Sequence, residues 1–413
     1  MFREQPVTVP TVEVDLADPD LFVGGFPHAV FRRLRAEAPV ALNQTEGGRD
    51  FWVVSRYRDI WALSLDQRTF SSARNGAIPR DLGPEEREGQ SGMLINMDPP
   101  RHTKYRRLVN LGFSPKMVNR LEPHIRELAK DIVDAIADRG ECDFVTNVAA
   151  ELPLQVIVEM IGVPIADRHL VFDWSNKMLA YDDPEYQESA MTGRIAAMEM
   201  YMYANQLARE RKDHPRDDLV SVLMNAEVEG ERLSEVEFDQ FFLLLAVAGN
   251  ETTRNLISGG MLALLENPAE RARLAADPSL LSTAVEEMLR WVAPVMQFRR
   301  TLTRDVELSG QRLREGELVS LWYGSANRDD AVFHEPDRFD VGRTPNDHLA
   351  FGIGPHFCLG ANLARLEIRI MFEELLRRLP DIELAGPVER LRSNFINGIK
   401  HMPVRFTRER PAS

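Results

Sequence analysis

Between Ser234 and Glu266 apolar residues fill nearly every face of a helical projection, with FFLLLAVAGNETTRN at the centre. Such a run is a buried core helix. Ser234 and Glu237 form a capping box at its start, and Asn267-Pro268 ends it. At about 33 residues it spans about 50 Å, enough to cross a whole domain. A second helical period runs from Leu359 to Leu379 (Leu363, Leu366, Ile370, Leu375) and is stopped by Pro380. A shorter helix starts at Ser282 and ends before Pro294, Ala29–Ala38 reads as another, and amphipathic segments fill Val118 to Asn225. Strand patterns are fewer. FWVVSRY (Phe51–Tyr57) predicts a small sheet region near the N-terminus, ELVSLWYGSANRDD a strand and turn, and NFINGIK a turn between short closing strands. The first 25 residues, dotted with Pro and Asp, are expected to run extended over the surface, and Asn75 to Gly92 to form a long functional loop.

A length of 413 residues alone would suggest two or three domains, yet no internal repeat or low-complexity linker divides the chain. With 44% apolar and 28% charged residues a large core is expected. No run approaches the roughly 18 apolar residues of a membrane span, and the acidic N-terminus shows no signal-peptide core, so the chain reads as cytoplasmic. The net charge of −14 disfavours nucleic acid as a partner.

Four stretches carry candidate chemistry. In FGIGPHFCLGANLARLE, Cys358 stands just ahead of a helix N-terminus, where free N–H groups favour a thiolate. Gly352, Gly354 and Gly360 would let the backbone close round the sulfur. A thiolate so caged is a nucleophile or a metal ligand; the plainer alternative is one more buried cysteine. The second stretch is the middle of the long helix, where Gly249, Glu251, Thr252 and Thr253 interrupt an apolar run. Either they serve chemistry, or Glu251 pairs with an arginine and Thr252 bonds back to a carbonyl. In MDPPRHTKYRRLVNLGF the third, His102 and Arg106, share one helix face at i, i+4. The fourth is Glu287-Met-Leu-Arg290, a weak E-x-x-R pair on its own. Cys142, the only other cysteine, is read as a small core residue, and the two cysteines make no zinc site.

F-x-x-G-x-H-x-C-x-G, matched at Phe351, Gly354, His356, Cys358 and Gly360, resembles the haem-binding loop of the cytochrome P450 family. A-G-x-E-T-T resembles that family's oxygen-activation motif, and D-P-P-x-H-x-x-x-R the helix whose His and Arg bind a haem propionate. The resemblance covers nearly the full length. It implies one domain, residues 1–413, mainly α with a smaller β-rich region (the α+β cytochrome P450 fold). It implies haem b, with Cys358 as axial ligand of the iron. His102, Arg106, Arg300 and His356 would neutralise the propionates, with Arg299 the second candidate for the Arg300 role. Ala248 and Gly249 would leave room above the iron, while Glu251 and Thr252 would deliver protons. Glu287, Arg290 and Arg338 (in EPDRFD) would form a buried ion-pair triad, and Met178, Leu179 and Tyr181 stand where the family places its lid.

The implied reaction is monooxygenation, with electrons from a separate ferredoxin and ferredoxin reductase because no reductase domain is fused. An acidic ferredoxin would need a basic patch near Cys358, with Lys104, Arg107, Arg365 and Arg369 as candidates. Pocket positions by family analogy are Leu94, Val247, Ala248, Val295, Phe298 and Phe395, which favour an apolar, elongated or polycyclic substrate. AVAGNETTRN, VSLWYGSANRD and NFINGIKHMPV look most like actinobacterial members that oxidise branched lipids, terpenoids or sterol side chains. The rival readings are a haem-thiolate peroxygenase, which typically lacks the acid–alcohol pair, and a haem-based sensor, which would carry an output domain.

Overall fold

A computed structural model describes residues 9–409 apart from 111, 190, 215, 217, 226 and 229. The architecture is mainly helical with a smaller β-rich region, as expected. Helix α1 (His28–Glu37) leads into β1 (Val40–Asn43) and β2 (Phe51–Val54), and α2 (Tyr57–Leu65) follows directly. With β3 (Phe70–Ser71), β4 (Gln297–Leu302) and β5 (Leu318–Trp322) these strands form one sheet in the order β1-β2-β5-β4-β3. Only the β5–β2 pair is parallel. The FWVV strand is apolar without alternation because both its faces are covered. Phe51 and Val53 pack with Phe31 of α1, while Trp52 and Val54 pack with Ile60 and Leu63 of α2. The strand stops short of the expected Tyr57, whose N–H instead meets the Asp329 carboxylate at 2.8 Å and starts α2. The N-terminal stretch can be followed from Val9, with a short 3-10 helix at Pro19–Phe22; residues 1–8 lie outside those described.

The helical part is assembled round α8 (Glu235–Glu266). Its capping box forms as read: the Ser234 hydroxyl accepts the Glu237 N–H, and the Glu237 carboxylate accepts the Ser234 N–H at 2.9 Å. Around α8 pack α5 (Glu151–Ile161), α6 (Arg168–Leu179), α7 (Thr192–Asp213), α9 (Leu281–Val292) and α10 (Ala361–Arg378). Helix α10 lies along α4 (Pro115–Ala137), and α3 (Arg101–Asn110) comes between the long loop and α4.

The loop from Asn75 to Gly92 is not structureless. Pro84–Gly89 forms a short helix inside it. Its base is tied down, since the Ala77 N–H donates to Asn96 Oδ1 at 3.0 Å and the Ala77 carbonyl accepts the Arg299 N–H at 2.7 Å. The segment expected to act as a lid packs against the Asn75–Gly92 loop and the closing turn. Leu179 joins a cluster with Phe395 and Ile396, Tyr181 lies under Arg80, and buried Asp183 accepts from Lys400 at 3.2 Å.

Candidate active site

Cys358 sits three residues ahead of α10 on a loop that turns through Gly352 (φ +68°) and Gly354 (φ +75°). A side chain at Gly354 would press on the Ser64 carbonyl at 2.8 Å, so this glycine lets the loop seat on the end of α2. The Cys358 N–H donates to the Phe351 carbonyl at 2.9 Å. The neighbourhood does not simply favour a thiolate. Burial pushes the thiol up, opposed by the Gly360 N–H and by the charges of Arg106 and Arg365. A metal cation bound at this sulfur would displace its proton to solvent and supply the missing positive charge.

Beside the sulfur the cavity wall carries two arginines and two histidines. Buried His102 has neither ring nitrogen bonded, and burial with Arg106 and Arg300 pushes its pKa down to about 4. Its ring centre lies 4.2 Å from that of His356, which bonds the Met97 backbone and faces the Ser72 hydroxyl at 3.3 Å. Arg300 is enclosed, and among the described residues its guanidinium donates only to the Arg299 carbonyl, at 2.7 Å. Arg106 donates to the carbonyls of Pro355 and Phe357, bracing the Cys358 loop. His102, Arg106, Arg300 and His356 all line one cavity with Cys358. Arg299 points the other way, over Phe51 and onto Asp81.

The opposite wall is α8. Ala248 and Thr252 face the cavity, and the Thr252 hydroxyl donates to the Ala248 carbonyl at 2.8 Å. Gly249 lines the cavity too, and a Cβ there would stand 2.8 Å from Ile157 of α5. The Glu251 carboxylate is absent from the cavity wall. It is buried against Arg254, which also donates to Asn176 Oδ1 at 2.8 Å and lies over the Phe172 ring. Burial raises the Glu251 carboxyl against the pull of Arg254, and its Oε1 has no bonding partner. Leu94, Phe241, Leu244, Val295 and Phe298 complete an apolar wall. Val247 and Phe395 do not reach it: Val247 lies on the far side of the helix, and Phe395 backs Phe298 with ring centres 5.6 Å apart.

A cysteine, two arginines, two histidines and an apolar wall around one space match what comparison with known proteins finds. The family model for cytochrome P450 matches residues 140–380. A steroid C26-monooxygenase of Rhodococcus jostii is 45% identical over 402 residues, 95% of this chain and 84% of the relative. The chain belongs to the cytochrome P450 family. A methyl-branched lipid omega-hydroxylase of Mycobacterium tuberculosis is 42% identical, covering 97% of this P450 and 96% of the relative. Among solved structures, a Mycobacterium marinum cytochrome P450 in complex with pseudoionone superposes with a TM-score of 0.90 at 41% identity. That match covers 97% of this P450 and 100% of the other chain. These relatives make the protein an oxidoreductase of the monooxygenase kind.

Family membership implies a haem cofactor, and the residues present fit one. The unpartnered N–H of the buried His102 ring wants an acceptor, Arg300 wants an anion, and the space where a Gly360 side chain would stand is open. One ion-pair partner differs from the sequence reading. The third member of the Glu287–Arg290 network is Arg343, at 3.0 Å from Glu287, while the Arg338 side chain turns outward to Glu335 and contributes only its carbonyl. Among the cations proposed for a donor-docking patch, Arg365 pairs with Glu286, and Arg369 with Glu122 and Glu373. Tyr323, unremarked in the sequence, lines the cavity. Its neighbours in WYGSANRD gave no chemical signal, since an aromatic at a strand end is ordinarily core. Among the described residues no helix is long and apolar enough to cross a membrane.

Proposed function

We propose that this P450 hydroxylates an elongated apolar molecule, a methyl-branched lipid, terpenoid or sterol side chain, in the cytoplasm. The observation that carries this reading is the apolar wall of Leu94, Phe241, Leu244, Val295 and Phe298 facing Cys358, with no charged side chain among them. The two curated relatives, named for steroid C26 and methyl-branched lipid ω oxidation, support it. Haem b, held by Cys358 and with its propionates met by His102, Arg106, Arg300 and His356, supplies oxygen activation when bound. One atom of O2 enters a C–H bond and the other leaves as water, consuming two protons and two electrons. The electrons come from a separate ferredoxin and its reductase.

The chain's own part is positioning and proton supply. The apolar wall orients the substrate and excludes water. The Thr252 hydroxyl faces the cavity and can hold a proton there. Glu251 lies one residue away with a raised carboxyl, so it carries a proton more readily than a solvated glutamate. To pass it forward, the side chain must turn from Arg254. The test of substrate class is a homologous series of branched acids or esters, scored by the shift to high-spin iron. Burying one methylene is worth roughly 0.8 kcal/mol, so affinity should rise several-fold per carbon until the cavity is filled. Flat affinities, or preference for small polar aromatics, overturn the reading.

A further inference from the structure

Two consecutive glutamates of α9 serve different networks. Glu287 turns back to Arg290 and Arg343 and ties the fold together. Glu286 turns toward the Cys358 loop. Its carboxylate takes both arms of the Arg365 guanidinium, Nε to Oε1 at 2.7 Å and Nη2 to Oε2 at 2.8 Å. The guanidinium carbon lies 4.6 Å from the centroid of the Phe351 ring. Oε2 also faces His348 Nε2 at 3.1 Å, and His348 Nδ1 accepts the Ala350 N–H at 3.2 Å, so the ring proton sits on Nε2 and is donated to Glu286.

Both arms therefore end on Ala350 and Phe351, and the Phe351 carbonyl is the group that receives the Cys358 N–H. An exposed ion pair would matter little, at about 0–1 kcal/mol. Here the fork is bidentate, the His348 side chain is only 3% exposed, and the cation lies against an aromatic face. Although burial alone would raise it, Arg365 and His348 hold the Glu286 carboxyl down at about 2. The same Arg365 is one of two cations whose charge reaches the Cys358 sulfur.

We propose that Glu286 is a positioning residue for the cysteine ligand. Through Arg365 and His348 it fixes the peptide that holds the Cys358 backbone, and it neutralises the cation that would otherwise draw charge from the sulfur. It thereby sets how strongly Cys358 donates to the iron. This rests on the reading of Cys358 as the haem ligand.

The test is Glu286→Gln, which keeps the shape and removes the charge, with Arg343→Lys as a control in the neighbouring network. Glu286→Gln should keep its haem and the long-wavelength CO band of thiolate ligation. Its midpoint potential should move positive by about a tenfold shift in the reduction equilibrium, 59 mV for one electron. Exchange of the Cys358 amide proton should quicken relative to the amides of α10. Arg343→Lys should lower the melting temperature and leave both readouts at the wild-type value. If Glu286→Gln fails to accumulate, Arg365→Lys, which loses the fork and the ring contact, is judged by the same amide exchange. A wild-type potential and wild-type Cys358 exchange in the variant measured overturn the proposal, whatever happens to its melting temperature. Absence of the thiolate band from haem-loaded wild type would instead sink the ligand reading itself.

Discussion

The two walls of the cavity are built on opposite principles. On the Cys358 side, charged groups are wired to backbone: Arg106 to the carbonyls of Pro355 and Phe357, and Glu286 through His348 to the Ala350 N–H. On the α8 side, Glu251 and Arg254 are wired to each other and to the Asn176 amide behind the helix, and the face presented to the cavity is apolar apart from the threonines. Charge-assisted bonds to peptide groups fix a loop that has no regular ladder of its own. A regular helix needs no such bracing, so its cavity face is free to be shaped by side-chain size. The difference predicts that ligation tolerates little change on one wall, while the other can be altered with the fold intact.

The sharpest break removes the sulfur. Cys358→Ala should fold, because the Cys358 N–H bond to Phe351 is made by the backbone, yet the CO complex should lose the thiolate band completely. A variant that keeps a normal band would overturn the assignment. Next in size is a break behind the loop. Glu287 and Arg290 are fully buried, and Arg343 shares the same carboxylate. Glu287→Gln leaves two cations without their counter-charge and should cost about 3–5 kcal/mol. Denaturant melts should show that loss, whereas removal of the exposed Arg338–Glu335 pair should leave the midpoint nearly unchanged.

Most of the frame was legible in the sequence, for reasons that differ by element. Helix α8 announced itself through an all-round apolar run with a capping box and a proline stop, signals that are local and need no tertiary context. The Cys358 loop was legible because a glycine-spaced cysteine ahead of a helix is an unusual combination. What stayed hidden depends on where side chains point. Arg338 and Arg343 lie five residues apart on an irregular segment, where no periodicity tells which one faces Glu287. Gly249 lines the cavity as read, but a Cβ there would also stand 2.8 Å from Ile157, and only the packing of α5 reveals that. Val247 and Phe395 failed as wall residues for the same reason: one lies at the wrong helical phase, and the other stands behind Phe298.

The packing at Gly249 can be tested on the α8 wall. Gly249→Ala gains in helix propensity, roughly 0.5–1 kcal/mol in favour of alanine. Against that stands a Cβ 2.8 Å from Ile157, and overpacking of a tight helix contact costs about 1–3 kcal/mol. The net result should be a modest loss of stability, relieved by pairing it with Ile157→Val, which trims the opposing side chain. If the single variant is more stable than wild type, the contact is not tight and the glycine's role lies in the cavity.

The smallest structural change should produce the most selective functional one. Thr252→Ala removes a hydroxyl whose single bond in this structure is to the Ala248 carbonyl, within its own helix. A back-bond of that kind adds little to stability, so the melting temperature should move by no more than a surface substitution would. Substrate binding and the CO spectrum should also persist, because the apolar wall and Cys358 are untouched. Only proton supply is lost, so NAD(P)H should still be consumed while product falls and peroxide rises. The partner variant Arg254→Lys sharpens the reading. It keeps a charge near Glu251 but cannot reproduce the guanidinium's simultaneous hold on Glu251 and Asn176, so Glu251 should turn more freely while Thr252 is left in place. Product per NAD(P)H that is unchanged in Thr252→Ala would move the role to Thr253, which also lines the cavity.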